Sequence, residues 1–136
     1  MSYGVSAALQ AAVYQALSTD GTLTGLVGTA IYDALPTGSL PSIYVTLGQE
    51  TVSDRSDKVG HGAAHEFVVS VVTDVSGFAQ AKEAAAAISD ALVDANLTLS
   101  RGMLCGLQFL KAKAARVGSG GTRRIDLTFL ARVDDI

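Results

Sequence analysis

The residues best suited to bind a metal are His61, His65 and Glu66, which lie close together in the sequence. Two histidines four residues apart share one side of a helix and can hold a zinc ion there. The sequence around them instead has the pattern of a loop that runs into a strand, and no third ligand follows at a recognisable spacing. We therefore expect no metal and no cofactor. His65 is predicted to be a strand residue with an ordinary polar partner.

Two other segments could take part in catalysis or phosphate binding, but neither has the full pattern of such a site. Cys105 is the single cysteine and lies in an apolar segment, which predicts a small buried thiol and not a nucleophile. Residues 118–122, Gly-Ser-Gly-Gly-Thr, lack the Gly-Lys-Ser/Thr ending of a phosphate loop and precede a strand pattern, whereas that loop precedes a helix. This segment is predicted to be a hairpin tip. We find no nucleophile elbow and no obvious acid/base pair of carboxylates, so we predict that the chain is not an enzyme.

Length and composition indicate one globular domain over residues 1–136. The hydrophobic fraction is 49% and the charged fraction 17%, which is typical of a chain that buries a core. No apolar run approaches the roughly 20 residues that cross a bilayer, and the N-terminus has no signal-peptide pattern. We expect no membrane partner, and a single cysteine fits a reducing compartment.

The elements that must position these residues can be read from periodicity. The predicted helices cover residues 3–18, a short turn at 22–27, and 76–95; the predicted strands cover 31–33, 42–50 and 64–73, followed by strand segments from 97 and a hairpin over 101–133. The predicted fold class is α+β. It has a single mostly antiparallel or mixed sheet, two main helices packed on one face, and a long C-terminal β-hairpin.

Charge is divided unevenly along the chain. Residues 1–100 contain three Lys or Arg against ten acids, a balance of −7, whereas residues 101–136 contain seven against three, a balance of +4. This division predicts either complementary surfaces on neighbouring copies or a basic face toward DNA, although an uneven scatter of solvated charge gives the same counts. The loop predicted at residues 51–62 is also long enough to favour a functional role.

The order of these segments resembles the tail-terminator, or tail-completion, proteins of long-tailed bacteriophages and of phage-like gene transfer agents. The resemblance rests on an N-terminal helix followed by Leu-Thr-Gly-Leu-Val-Gly at 23–28, Ile-Tyr-Asp at 31–33 with Pro36, Pro-Ser-Ile-Tyr-Val-Thr-Leu-Gly at 41–48, the alanine-rich helix at 81–92, and the terminal hairpin. Each segment is weak alone, and their order and spacing over nearly the whole chain carry the resemblance. It does not distinguish an infectious phage from a gene transfer agent.

The resemblance implies a structural virion protein that is assembled in the bacterial cytoplasm. Such proteins form a hexameric ring on the head-proximal end of the tail tube, stop tube polymerisation, and present a docking face to the head-side connector, while DNA passes through the lumen. The implied partners are further copies of this chain, the tail tube protein, the connector or stopper protein, and non-specifically bound DNA. A head-to-tail ring needs two different complementary patches on each subunit.

The residues predicted to contact a neighbouring subunit, the tail, the connector or the DNA channel are all basic or histidine. They are Arg55, Lys58, His61, Lys111, Lys113, Arg116, Arg123 and Arg124. The alternative function is a sheet-based nucleic-acid-binding protein that uses the basic C-terminal ribbon. Direct base readout has no support, because the sequence contains neither zinc-finger spacing nor a helix-turn-helix with a basic second helix.

Overall fold

The computed structural model describes residues 3–56, 61–118 and 120–135. Within these ranges, three helices and five strands follow one another along the chain: α1 (Ser6–Ser18), α2 (Gly21–Val27), β1 (Ile31–Tyr32), β2 (Ile43–Asp54), β3 (Gly62–Thr73), α3 (Ala79–Leu92), β4 (Met103–Arg116) and β5 (Arg123–Asp134). The predicted α+β class, the single mixed sheet and the C-terminal hairpin are confirmed.

The first two helices depart from the predicted bounds because of their caps. Of the two serines near the start of α1, Ser2 lies outside the described residues and Ser6 donates to Glu50. α1 ends at Ser18, as predicted. Asp20 accepts a hydrogen bond from the Leu23 amide at 2.9 Å, a typical N-cap, and Gly21 is therefore the first residue of α2.

The third helix is shorter at both ends than the pattern predicts. Its N-cap is Phe78 and not Ser76, since Gly77 has a φ of +83° and turns the chain just before the helix. At the other end the amide of Asp94 donates to the carbonyl of Leu107 on β4 at 3.0 Å, which draws the chain away from the helix axis. The predicted apolar stripe is confirmed, because Ala81, Ile88 and Leu92 have no exposed surface.

The strands form one sheet in the order β1-β2-β3-β5-β4. Only the β1–β2 pair is parallel; each of the other neighbouring pairs within the described residues is antiparallel. The connection through α3 joins β3 to β4, which run parallel to each other, but β5 is inserted between them, because the hairpin folds back onto β3.

One face of the sheet packs against all three helices and contains the core. Residues on this face alternate along the strands, and β5 contributes Ile125, Leu127, Phe129, Ala131 and Val133, each 4% exposed or less. Phe129 contacts Phe67 on β3 and Phe109 on β4, with ring centroids 5.7 and 5.9 Å apart. The opposite face, which we call the open face, has no helix packed on it within the described residues.

The structure corrects three further predictions, about one loop, one strand segment and the burial of Cys105. The loop predicted over residues 51–62 is shorter, because β2 continues to Asp54 and the Arg55 amide donates to the Gly62 carbonyl at 2.8 Å. Leu97 and Leu99 belong to no strand, and their partly buried side chains pack on the core. Cys105 was predicted to be buried, yet it is exposed because β4 is an edge strand.

No helix in the described ranges has the length and apolar character needed to cross a bilayer.

Candidate assembly surfaces

Five of the predicted contact residues lie toward the distal end of the β4–β5 hairpin, on two different faces. Lys111 and Lys113 are exposed on β4 and lie beside Thr128 and Asp126 of β5, on the open face. Arg124 is on the same face, directly across from Ala115. Arg116 pairs in register with Arg123, on the side of the sheet that faces the helices. The hairpin therefore presents basic groups in two directions.

The charge of Arg124 is partly balanced within the chain. Its Nε lies 2.7 Å from Oδ1 of Asp126, and its Nη2 donates to Oγ of Ser70 at 3.2 Å. Ser70 in turn donates to Asp126 at 2.5 Å. Burial raises the pKa of Asp126, but these hydrogen bonds and the charges of Arg124 and Lys113 outweigh burial, so that this pKa lies below its usual value. The carboxylate stays ionised at neutral pH and forms an ion pair with Arg124.

Arg123 has a structural environment that the sequence pattern did not reveal. Its guanidinium lies over the ring of Phe78, 5.4 Å from the centroid, and Nη1 donates to the carbonyls of Val75 and Gly121 at 3.3 and 3.1 Å. This side chain therefore joins the hairpin to the loop before α3. Residues 78 and 123 are 45 positions apart, so their contact cannot be recognised from local periodicity. Arg123 was therefore predicted to be a contact residue together with the other basic residues of the hairpin.

Two of the remaining three predicted contact residues lie at the other end of the sheet. Arg55 and His61 are exposed beside the β2–β3 turn, and Lys58 lies outside the described residues. The His61 carbonyl accepts from the amide of Asp135, so this turn adjoins the end of β5. A strand of 12 residues such as β3 extends about 40 Å. The structure thus separates the predicted residues into two groups at opposite ends of the sheet.

A polar cluster, buried only in part, holds the start of α1 against the sheet. His65 has no exposed surface, and its Nδ1 lies 2.9 Å from Oε2 of Glu50, which confirms the predicted ordinary partner for this histidine. Tyr3 and Ser6 donate to Oε1 of the same carboxylate at 2.6 and 2.7 Å. The geometry is that of a structural cluster, with one acceptor shared by three donors. In the described parts of the chain, no group of three His, Cys, Asp or Glu side chains is arranged to hold a metal ion.

The chain was compared with protein families and with solved structures. Residues 11–134 match the family model described as Tail completion protein gp17. Among solved structures, the chain is similar to one in the virion of a native gene transfer agent particle. The two chains are 63% identical, the match covers 98% of this chain and 99% of the other, and the TM-score is 0.94. Comparison with curated proteins returns no match.

The family match covers most of the chain, and the structural match extends over nearly all of it with high identity. The resemblance noted in the sequence is therefore confirmed. The chain belongs to the gp17 family of tail completion proteins and is a structural tail protein.

Proposed function

We propose that this protein completes the tail by forming a homo-hexameric ring on the head-proximal end of the tail tube. The ring stops tube polymerisation, binds the head-side connector, and surrounds a lumen through which DNA passes. The observation that carries this proposal is the gp17 family match, together with 63% identity over almost the full length to a chain of a gene transfer agent virion. Its location is accordingly the head-proximal end of the tail in an assembled particle.

The separation of the two ends of the sheet supports the proposal that each subunit contacts one partner above the ring and another below it. One end holds the glycine-rich tip after Arg116, and the other holds the β2–β3 turn with Arg55 and His61. Since the ends are separated by about 40 Å of strand, one can contact the tail tube while the other contacts the connector. Termination of this kind needs only complementary surfaces, and no catalytic group is involved.

The charges on the open face support the proposal that this face lines a lumen through which DNA can move. Lys111, Lys113 and Arg132 are exposed on it, while Asp126 and Glu66 reduce the net positive charge. Phosphate contacts made by lysine and arginine are independent of base sequence and weaken with salt. A face with a modest positive excess attracts the DNA backbone without holding it strongly enough to stop its movement.

The test is assembly without this protein. Particles are produced in cells that lack its gene, and tail length and attachment to heads are measured by electron microscopy. We expect tails of uncontrolled length that do not join heads, and restoration of both properties when the wild-type gene is supplied. Tails of normal length attached to heads in the absence of the gene would overturn the proposal.

A second candidate, a sheet-based nucleic-acid-binding protein, is favoured by the exposed Lys111 and Lys113 on the open face. It predicts that the isolated protein binds DNA with a Kd that rises steeply with salt, since each phosphate contact releases counterions. The pairing of Arg124 with Asp126 and the presence of Glu66 on the same face favour the ring instead. Absence of measurable DNA binding at moderate salt would exclude the second candidate.

A further inference from the structure

The sheet has two open edges that differ from each other. In the described residues no strand pairs with the outer side of β4. At the other edge, β1 is only two residues long and pairs with Val45 and Thr46, so the outer side of β2 from Leu47 to Ser53 has no strand partner in the described chain. Unpaired strand edges present backbone N–H and C=O groups that can pair with another strand.

The two edges carry opposite charge. No lysine or arginine occurs among residues 1–54, which include α1, α2, β1 and β2, whereas Asp33 directly after β1 and Asp54 at the end of β2 are exposed acids. β4 contains the basic residues Lys111, Lys113 and Arg116 and no acid. Two copies placed with these edges together therefore attract, while two copies joined through β4 on both sides would oppose like charges.

Apolar grooves accompany both edges on the helix side of the sheet. A groove of about 840 Å³ lies between α1 and β1 and is lined in part by Tyr14, Ile31 and Tyr32. A smaller one of about 300 Å³ lies between α3 and β4, where Phe109 and Ala112 form part of the wall. Tyr14 is 40% exposed and Phe109 43%, so each groove displays an aromatic side chain that the monomer does not cover.

We propose that β4 of one copy pairs with the open part of β2 in the next copy, so that the sheet continues from subunit to subunit. This inference rests on the proposed ring and specifies how it closes. The contact joins two different surfaces, which is the requirement for a closed head-to-tail ring. It keeps the helices of all copies on the outside and all open faces toward the lumen, and it brings the two apolar grooves together.

Disulfide scanning tests this pairing directly. Single cysteines replace Gln49, Thr51 or Ser53 on β2, each combined with a cysteine at Gln108, Lys111, Lys113 or Ala115 on β4, and Cys105→Ser is present throughout. Within one chain β2 and β4 are three strand spacings, about 14 Å, apart. Disulfides need Cα atoms less than about 7 Å apart, so a bond in this panel can form only between copies.

In oxidised particles we expect the combinations that match the register to give a ladder of covalent multimers ending at six chains. The control places the β2 cysteine together with Asp90→Cys on the exposed side of α3, and we expect no ladder from it. If rings are visible by electron microscopy and no combination in the panel forms a ladder, the edge pairing is wrong while the ring stands. Tails of normal length that join heads in cells lacking the gene would instead contradict the proposed function.

A charge reversal tests the edge contact by a second route. Lys113→Glu on β4 is compared with Gln80→Glu on the exposed side of α3, which adds the same side chain away from both edges. We expect Lys113→Glu to lower the yield of head-joined tails by about tenfold or more, because one reversal acts at every subunit contact. We expect Gln80→Glu to change the yield by less than about twofold. Equal losses from both variants would contradict the edge pairing.

Discussion

The buried imidazole of His65 lies 2.9 Å from the carboxylate of Glu50, and this contact joins β3 to β2 beneath the start of α1. A carboxylate can only accept, so Nδ1–H of His65 donates to it. Tyr3 and Ser6 also donate to Glu50, which makes this carboxylate the common acceptor for three parts of the chain. The N-terminal segment is therefore attached to the sheet by hydrogen bonds as well as by apolar packing.

Replacement of Glu50 by glutamine should destabilise the monomer. The glutamine side chain offers one acceptor and brings an NH₂ group that faces the existing donors. Because hydrogen bonds to a charged group contribute about 1.5–3 kcal/mol, we expect a loss of that size in the free energy of unfolding at pH 7. Urea denaturation followed by circular dichroism measures it. Glu83→Gln on the exposed side of α3 is the control, and equal stability of the two variants would contradict the prediction.

The same carboxylate should make stability depend on acid pH. Burial raises the pKa of Glu50, but the hydrogen bonds from Tyr3, His65 and Ser6 together outweigh burial and place this pKa below its ordinary value of 4.5. A lowered pKa in the folded state contributes stability above the unfolded value and loses it as pH falls through the folded value. We therefore expect the difference in unfolding free energy between wild type and Glu50→Gln to be full at pH 7 and to shrink as pH falls below 4.5. A constant difference between pH 7 and pH 3 would contradict this.

Arg123 should contribute to the stability of the monomer and not only to assembly. Its contact with the Phe78 ring and its hydrogen bond to the Val75 carbonyl would both be lost in Arg123→Glu. A partly buried cation–π contact and one hydrogen bond together predict a loss of about 1–3 kcal/mol in the free energy of unfolding. Thermal denaturation of the isolated protein provides the measurement. The exposed Arg132→Glu variant is the matched control, and a Tm equal to that of this control would show that Arg123 has no structural role.

The parts of the fold that the sequence predicts well are those with local periodicity. The apolar stripe of α3 and the alternation of β5 repeat within the element itself, so each can be read without knowing its neighbours. The family resemblance likewise depends on the order of local segments, and it is confirmed. The bounds were less accurate because they depend on contacts from elsewhere, such as the Asp94 amide that donates to Leu107.

The parts that the sequence does not predict depend on strand order. Cys105 lies in an apolar segment, but its exposure follows from the position of β4 at the sheet edge, which periodicity does not reveal. The basic residues of the hairpin read as one surface, yet the pleat sends Lys113 to the open face, and Arg123 packs on Phe78. The contact role predicted for the basic residues and His61 stays a prediction.

Phe67, Phe129 and Phe109 lie side by side across β3, β5 and β4. Substitutions at Phe129 and Phe109 should distinguish an effect on folding from an effect on assembly. Phe129 is fully buried, so Phe129→Ala should lower the free energy of unfolding by about 3–5 kcal/mol. Phe109 contacts the same ring but is 43% exposed at the β4 edge, and Phe109→Ala should cost less than half as much in the isolated protein. If β4 is covered in the ring, Phe109→Ala should nevertheless reduce the yield of head-joined tails. Wild-type yield with Phe109→Ala would count against an apolar contact at this edge.

Cys105 provides a chemical probe of the β4 edge. Burial is the first cause that raises the pKa of this thiol, and the nearby Asp134 raises it further through its charge and a contact of 3.8 Å between Sγ and Oδ2. Since the thiolate is the reacting form, alkylation of the exposed thiol should be slow at pH 7.5 and become faster as pH rises. Asp134→Asn should lower the pKa of Cys105 and speed alkylation at pH 7.5, whereas Asp90→Asn on α3 should leave the rate unchanged.

In assembled particles the neighbouring copy should cover the edge and slow the reaction of Cys105, as mass spectrometry of modified peptides can measure. An equal rate in the isolated protein and in particles would show that this part of β4 stays open to solvent.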